Sequence, residues 1–452
     1  MVEGFDFVRG KHVVSGGTVG PAAIKVTGGK ITEVLPYDAV PAGARVLDAG
    51  NLHVLPGIVD THVHINDPGR AHWEGFATAT RAAAAGGVTM LMDMPLNSIP
   101  PTTTPHGLLT KVAAMDGKTH VDVGLCAGLV PGNAANVREV WGEGALAFKC
   151  FLAESGVDEF SHVSEEALTR GLRGLADVGA PLLVHAELPP PLEDAARLAA
   201  TLDPRTYASW LASRPKAAED QAVDLLVRLV RDIGGRAHVV HLSSSTALSL
   251  IERALHEGLP FTAETCPHYL TFAAEDIADG QTEYKCAPPI RERDNQEKLW
   301  AALRNGSIAQ VVTDHSPSDA PMKCSDSGDF MQAWGGISSL ELGLRAVWTG
   351  ARARGMSIVD VVRLMCEAPA GLIGMAGRKG VIAVGADADF CFFDPDADFV
   401  CDKDALQHRN KISPYDRRTM KGRVHRTILR GTTIYDDGVF TLNQGRWVRR
   451  AT

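Results

Sequence analysis

The sequence lacks the features that mark membrane, secreted and nucleic-acid-binding proteins. No apolar stretch reaches the roughly 18 residues that a membrane-spanning helix requires, and the first ten residues, MVEGFDFVRG, do not have the basic-then-apolar order of a signal peptide. The chain has 45 basic and 54 acidic side chains, a net charge of −9, and no basic stripe that could neutralise a phosphate backbone. These absences predict a cytoplasmic protein with neither a nucleic-acid nor a membrane partner.

Paired cysteines are also absent. The eight cysteines are scattered along the chain without a C-x-x-C pair, whereas a disulfide framework or a structural zinc finger needs regularly spaced cysteines. We therefore expect reduced, mostly buried thiols and no disulfides. With 452 residues, of which 45 % are hydrophobic, the chain is long enough for one large domain with an appendage.

The order of apolar segments predicts the fold. Short β-branched segments with turn signals occupy both ends of the chain and predict a small antiparallel sheet built from both termini. Between them, apolar runs alternate with Ala- and Leu-rich helical stretches, and eight parallel strands linked by helices favour a closed β/α barrel over a doubly wound sheet. We expect residues 56–375 to form the barrel, and 1–55 and 376–452 to form the small β domain. The eight predicted strands are Val54–Val59, Val88–Met94, Val121–Leu125, Ala145–Phe151, Pro181–Val184, Ala237–Val240, Phe261–Thr265 and Ile308–Thr313.

Polar side chains stand at the carboxyl ends of the predicted strands, where barrel enzymes place their active sites. His62 and His64 follow the first strand and point the same way, because side chains alternate along a strand. His185 and His241 each close an apolar run, and Asp314 closes the last one. A single H-x-H pair is more often structural than metal-binding, but four imidazoles and a carboxylate at one barrel mouth favour a divalent metal site.

Lys149 lies inside the apolar run that ends at Phe151. An unpaired ammonium group is costly to bury, so this lysine needs a compensating role. One interpretation is a lysine at a strand end that reaches water, and the other is a neutral amine that captures carbon dioxide and becomes an anionic carbamate. Two divalent cations bring four positive charges, which a carbamate, Asp314 and a hydroxide would reduce to about one. The charge balance favours the carbamate.

Several other polar positions have both a structural and a functional interpretation. Asn97 follows the second strand and is either a hydrogen-bond partner for a substrate or a turn residue, and His268 has the same two interpretations. The segment Trp334–Ser338, WGGIS, presents backbone amides near the barrel mouth or forms an ordinary glycine turn. His238 and His315 lie in the opposite strand phase or in a loop, so we expect supporting roles for them.

Five segments of the chain resemble those of the cyclic-amidohydrolase branch of the amidohydrolase superfamily. They are GIVDTHVH at 57–64, FKCF at 148–151, VHAE at 184–187, VHLSS at 240–244 and TDHSP at 313–317. Other segments are most similar to the allantoinase family, among them ETCPHY at 264–269, KCAPPIR at 285–291 and AWGGI at 333–337. The resemblance covers about residues 10 to 440.

The resemblance implies a distorted TIM-type (β/α)8 barrel with a small β-sandwich domain from both termini. It assigns two divalent metal ions, with zinc expected and cobalt, iron or manganese as alternatives, and a homotetrameric assembly. The implied metal ligands are His62, His64, Lys149, His185, His241 and Asp314. Lys149 would be carboxylated and bridge the two ions, and Asp314 would also be the catalytic base. The implied substrate contacts are Asn97 and the backbone around Ala287, Ser316 and Gly335.

Two positions separate the activities found in this branch. Dihydroorotases carry an arginine two residues after the second histidine, where it pairs with the substrate carboxylate, whereas this chain has Asn66. Dihydropyrimidinases and hydantoinases usually have a tyrosine shortly after the carboxylated lysine, where this chain has Phe151–Ser155, FLAES. The expected activity is hydrolysis of the ring amide of allantoin to allantoate. The alternatives are the three activities just named and a non-catalytic scaffold of the same fold.

Overall fold

The computed structural model describes residues 4–450, and their first part forms short strands. β1 pairs antiparallel with β2, and β2 with β3, but β1 pairs parallel with β4 and β5. The predicted sheet is therefore mixed rather than purely antiparallel, because the chain crosses from β3 to the opposite edge of β1. The strands are β1 (Phe7–Ser15), β2 (Thr18–Thr27), β3 (Lys30–Pro36), β4 (Val46–Asp48) and β5 (His53–Pro56).

The barrel follows, and each of its strands pairs in parallel with the next. Its strands are β6 (Ile58–Val63), β7 (Val88–Asp93), β8 (Asp122–Gly128), β9 (Ala147–Phe151), β10 (Pro181–His185), β11 (Arg236–Val239), β12 (Phe261–Thr265) and β13 (Gln310–Val311). The barrel closes through a bridge between Val63 and His315, where the His64 N–H donates to the His315 carbonyl over 2.8 Å. The predicted barrel is confirmed.

The first predicted strand, Val54–Val59, is divided between two sheets. Its first residues belong to β5, and the strand that carries His62 begins only at Ile58. Gly57 lies between them, and a Cβ atom there would collide with the side chain of Thr89. The continuous apolar run hides this break because both strands are buried.

Helices cover the outside of the barrel. α4 is typical: the Ser164 side chain accepts from the Ala167 N–H over 3.2 Å at its start, and the helix buries Leu168, Leu172 and Leu175 along one face. The helices are α1 (Phe76–Ala85), α2 (Pro105–Met115), α3 (Val137–Gly142), α4 (Glu165–Ala176), α5 (Pro189–Ala199), α6 (Tyr207–Ser213), α7 (Lys216–Ile233), α8 (Leu248–His256), α9 (Pro267–Thr271), α10 (Arg293–Asn305), α11 (Gly343–Ala353), α12 (Ile358–Val362) and α13 (Ala368–Leu372). None of the helices within residues 4–450 has the length and apolar character to cross a bilayer.

The last strands complete the N-terminal sheet. β14 (Phe390–Val400), β15 (Thr419–Leu429), β16 (Thr432–Asp436) and β17 (Val439–Phe440) join it because β14 pairs antiparallel with β5. The resulting order in the described part of the chain is β17-β16-β15-β14-β5-β1-β2-β3, with β4 beside β1. The prediction that both termini build one β unit is confirmed. Beyond β17 the chain returns to the barrel, where the Val448 N–H donates to the Val123 carbonyl over 2.9 Å.

A buried group of charges joins the β unit to the barrel. The Lys379 Nζ lies 2.7 Å from Asp122 at the start of β8, 2.6 Å from Asp389 and 3.0 Å from Asp387. Burial acts to lower the pKa of Lys379, but the three carboxylates outweigh burial and raise it. The lysine is therefore charged and fully buried between its partners.

We expect the Lys379→Met variant to lower the free energy of unfolding by about 3–5 kcal/mol, since it leaves the buried Asp389 without its counter-charge and removes one partner from Asp122 and Asp387. Urea unfolding followed by circular dichroism measures the change. Lys298→Met is the matched control, because Lys298 pairs with Asp294 on the exposed side of α10 and its loss should leave the midpoint unchanged. Equal midpoints for the two variants would refute this role for Lys379.

Candidate active site

The predicted metal ligands converge at the carboxyl ends of the barrel strands, and all are buried. They comprise His62 in β6, His64 just after it, Lys149 in β9, His185 at the end of β10, His241 after β11 and Asp314 after β13. His241 and Asp314 have φ angles of 40° and 43°, a conformation that non-glycine residues rarely adopt. Such backbone strain persists mainly at functional sites.

The hydrogen bonds of His62 determine which ring nitrogen is free. Its Nδ1 lies 2.6 Å from the Glu264 Oε1, and a carboxylate there accepts the N–H, so the lone pair is on Nε2. This Nε2 lies 2.7 Å from the Lys149 Nζ and 3.2 Å from an oxygen of Asp314. A lone pair beside a carboxylate oxygen is repulsive unless positive charge lies with them, so this arrangement suits a cation.

Two groups of donors result. The His64 Nε2 lies 3.4 Å from the same Asp314 oxygen, and ligand atoms of His62, His64 and Asp314 all lie within 4.8 Å of one another. On the other side, the His185 Nε2 donates to Glu187 over 2.7 Å, which directs the Nδ1 lone pair of His185 at the His241 Nε2, 3.1 Å away. The donors thus form two groups, His62, His64 and Asp314 in one and His185 and His241 in the other, with Lys149 against His62.

Burial sets the protonation of these groups. It lowers the pKa of His64 to about 3 and also lowers the pKa of His241 and of Lys149. Burial acts to raise the pKa of Asp314, but the charge interactions and hydrogen bonding of the surrounding histidines, His62, His64 and His241, together outweigh burial and lower it. Neutral imidazoles, a neutral amine and an ionised carboxylate are the forms in which such groups bind a metal ion or form a carbamate.

Two carboxylates that orient the histidines have no role in the sequence analysis. Glu264 holds His62 and also accepts from the His238 Nε2 over 2.9 Å, so His238 supports the site indirectly as expected. Glu187 holds His185 and accepts hydrogen bonds on both oxygens from Arg214. The signal that could have found Glu264 is the one that found Lys149, an ionisable residue inside an apolar strand.

A cavity of about 260 Å³ opens over the donors. The residues predicted to contact substrate, Asn97, Ala287, Ser316 and Gly335, all line it. So do residues whose side chains had no role in the sequence analysis, namely Phe151, Trp210, Arg214, Lys285 and Trp334. Phe151 stacks on the His185 ring with centroids 4.6 Å apart and so forms part of the floor.

Two residues that the sequence analysis singled out do not line the cavity. Asn66 is buried, and its amide nitrogen lies 3.5 Å from the Pro317 carbonyl in the loop after Asp314. His268 is also fully buried, and neither of its ring nitrogens has a partner among residues 4–450. Neither residue is part of the cavity lining.

Comparison with known proteins identifies the family. The sequence model of the amidohydrolase family matches residues 53–434. An allantoinase of Streptomyces avermitilis is 52% identical over 444 residues, which cover 98% of this chain and 98% of the relative. The chain belongs to the allantoinase family of amidohydrolases. A Saccharomyces cerevisiae allantoinase is 40% identical over 95% of both chains.

A solved relative of this allantoinase-family chain has the same fold. The L-hydantoinase (dihydropyrimidinase) of Arthrobacter aurescens superimposes with a TM-score of 0.93 at 32% identity, over 99% of this chain and 100% of that chain. The predicted fold class, family and hydrolase activity are confirmed. Amidohydrolases are metal-dependent, and the buried nitrogen and oxygen donors found here fit Zn²⁺ and similar divalent ions.

Proposed function

We propose that the protein hydrolyses the ring amide of allantoin to give allantoate, using two divalent metal ions. The observation that carries this proposal is the 52% identity to the Streptomyces avermitilis allantoinase over nearly the full length of both chains. A hydantoinase activity is the second candidate, because the Arthrobacter aurescens structure superimposes so closely. The lower identity of that relative, 32%, makes its activity the weaker candidate.

The six buried donors would hold the metal ions. His62, His64 and Asp314 would bind one ion, His185 and His241 the other, and Lys149, carboxylated on Nζ, would bridge them. A lowered pKa of Lys149 supports carboxylation, because only the neutral amine reacts with carbon dioxide. Zinc is the ion we expect, although cobalt, iron and manganese suit the same ligands. Such ions lower the pKa of a bound water towards about 7 and polarise a carbonyl group.

The side chains and backbone of the protein orient the substrate and move the proton. Asp314 lines the cavity and would accept the proton of the attacking water, then deliver it to the departing ring nitrogen. Asn97 lines the cavity, and its Oδ1 has no hydrogen-bond partner in the described chain, so this side chain would accept from a ring N–H of the bound substrate. The Arg70 guanidinium donates to the Asn97 carbonyl over 2.9 Å and keeps this residue in place.

The cavity suits a neutral ring better than an anion. Arg214 lines it, but its Nε and Nη2 donate to Glu187, so only its Nη1 is without a partner among residues 4–450. Asn66 stands where a dihydroorotase has its carboxylate-binding arginine. A carboxylate entering this cavity would therefore lack a bidentate partner, whereas the imide and ureido groups of allantoin need only ordinary hydrogen bonds.

We expect kcat/KM for allantoin to exceed that for dihydroorotate by at least about 10²-fold, because an unpaired carboxylate is penalised strongly in a partly desolvated site. Hydantoin should fall between them because it lacks the ureido arm. Rates with all three compounds on one metal-loaded preparation measure the order. Dihydroorotate or dihydrouracil as the best substrate would refute the allantoin assignment and leave the fold intact.

Two further expectations, the cellular compartment and the number of subunits, also belong to this proposal. All eight cysteines are free thiols, seven of them buried, and this supports a reducing compartment such as the cytoplasm. The family resemblance supports a homotetramer. Sedimentation equilibrium on the full chain would test the subunit count.

A further inference from the structure

Lys285 lies beneath the loop that forms one wall of the cavity. It is 5% exposed, and its Nζ donates to the Ala333 carbonyl over 2.5 Å and to the Met331 carbonyl over 3.1 Å. The ammonium group also lies 4.2 Å from the ring centre of Trp210. The Trp210 Nε1 in turn donates to the Cys286 carbonyl over 3.0 Å, so the lysine and its supporting ring are tied to the same part of the cavity.

Lys323 binds the rest of the same loop. It is 3% exposed, and its Nζ donates to the Trp334 carbonyl over 3.0 Å and to the Gly336 carbonyl. The two lysines together therefore bind four carbonyl groups within residues 331–336. Lys323 lies in the neighbouring loop, where the Trp334 N–H donates to the Met322 carbonyl over 2.7 Å.

Burying the ammonium groups of Lys285 and Lys323 costs free energy that packing alone would not require. Neither Lys285 nor Lys323 forms an ion pair with a carboxylate among residues 4–450, although burying an ammonium group without one is expensive. Burial lowers the pKa of Lys285 to about 7 and that of Lys323 to about 8, which reflects this cost. Apolar side chains would fill the same space without it.

The Trp334–Gly335 peptide links the lysines to the cavity. Its carbonyl is bound by Lys323, and in a trans peptide the N–H points in the opposite direction. Gly335 lines the cavity, and its N–H has no acceptor in the described part of the chain. Gly336, with φ at 143°, allows the loop to approach Ser316 more closely than a Cβ atom would permit.

We propose that Lys285 and Lys323 are positioning residues, which fix the loop 331–336 so that the Gly335 N–H donates to a carbonyl oxygen of the bound substrate. The proposal rests on the proposed function for the identity of the substrate. It requires only a cyclic amide with a carbonyl group facing this wall. Neither lysine touches the reacting atoms, so their loss should weaken substrate binding rather than stop the chemistry.

Lys323→Met keeps the length of the side chain and removes the donor. We expect KM for allantoin to rise about tenfold while kcat stays within about twofold, since the lost contact is made equally in the bound substrate and in the transition state. Lys285→Met should behave in the same way. Lys421, which is partly exposed and pairs with Asp398 on the β unit, provides the control: Lys421→Met should leave both constants unchanged. Metal content and Tm verify that each variant is folded and loaded.

If the lysines only stabilised the fold, their loss would reduce the fraction of active protein, which would lower the apparent kcat and leave KM unchanged. That result would overturn the proposal. An unchanged KM in both lysine variants would also overturn it. If Lys323→Met does not fold, Lys323→Gln retains a donor on a shorter side chain and is measured in its place, with a raised KM again expected. If the parent protein does not hydrolyse allantoin, the proposed function fails. The lysines are then tested with whichever of hydantoin and dihydrouracil the parent does hydrolyse.

Discussion

Lys149→Ala is expected to lower kcat by about 10³-fold or more, because bound metal ions supply several kcal/mol of transition-state stabilisation and each 1.36 kcal/mol is tenfold in rate. The Lys149 Nζ lies 2.7 Å from the His62 Nε2, and the side chain is 1% exposed. The adjoining Cys150 cannot take its place, because it points to the other side of the strand. Turnover and metal content per chain, measured on the same preparation, test the expectation.

Chemical rescue distinguishes the carbamate from a simple amine. A short carboxylic acid added to the Lys149→Ala variant should restore part of the turnover and of the metal content by supplying the missing anion. Carbon-13 NMR of the parent protein in labelled bicarbonate should show a carbamate signal that the variant lacks. An unmodified ammonium group at Lys149 in the metal-loaded enzyme, or full metal content in the variant, would contradict the bridging role.

Asp314→Asn is expected to keep much of the metal and to lower kcat by about 10²-fold or more, because the amide can still offer an oxygen to a cation but cannot accept a proton. Asp314 is the carboxylate shared by His62 and His64, at 3.2 and 3.4 Å. Asp314 follows β13, and its left-handed backbone conformation accompanies a side chain that faces the other donors. Rates and metal content of parent and variant, measured in parallel, check this result.

Asp319→Asn provides a matched control for that variant. Asp319 lies in the loop that follows Asp314, but it is partly exposed and pairs with His72 at 3.3 Å. Its replacement should leave kcat unchanged. Near-normal turnover of Asp314→Asn would show that Asp314 is not the base. Loss of all metal from that variant would show that the negative charge of the Asp314 carboxylate is needed for metal binding and not only for proton transfer.

The proposed metal ligands were predictable because the four histidines and Asp314 stand at or just after the ends of strands, whereas Lys149 lies inside one. His62 and His64 are two residues apart, and a period of two fixes them on one face of a strand whatever the rest of the fold does. The lysine at 149 was recognisable because a charged residue in a strand buried on both faces contradicts its surroundings. Closure of the barrel then brings all strand ends to one mouth, so spacing along each strand was enough to predict the cluster.

The residues that support the site were not predictable in this way. Glu264 acts on His62 from a strand 202 positions away, and the Lys285 Nζ reaches a carbonyl 48 positions further along the chain. Hydrogen bonds of this kind depend on the distances between loops, and no periodicity in the sequence records those distances. For the same reason the break at Gly57 and the parallel pairing of β1 with β5 were visible only in the folded chain.

The sequence by itself determined the barrel class, the family and the six positions that we propose as metal ligands, because strand alternation and local motifs carry that information within a few residues. Tertiary structure decided which histidine nitrogen is free, since Glu264 and Glu187 select the tautomers. It also decided that Asn97 lines the cavity and that His268 does not, although a ring nitrogen of His268 lies within 4.8 Å of an oxygen of Asp314. The physical reason is that a hydrogen bond depends on separation in space within about 3 Å, whereas a sequence pattern reports only separation along the chain.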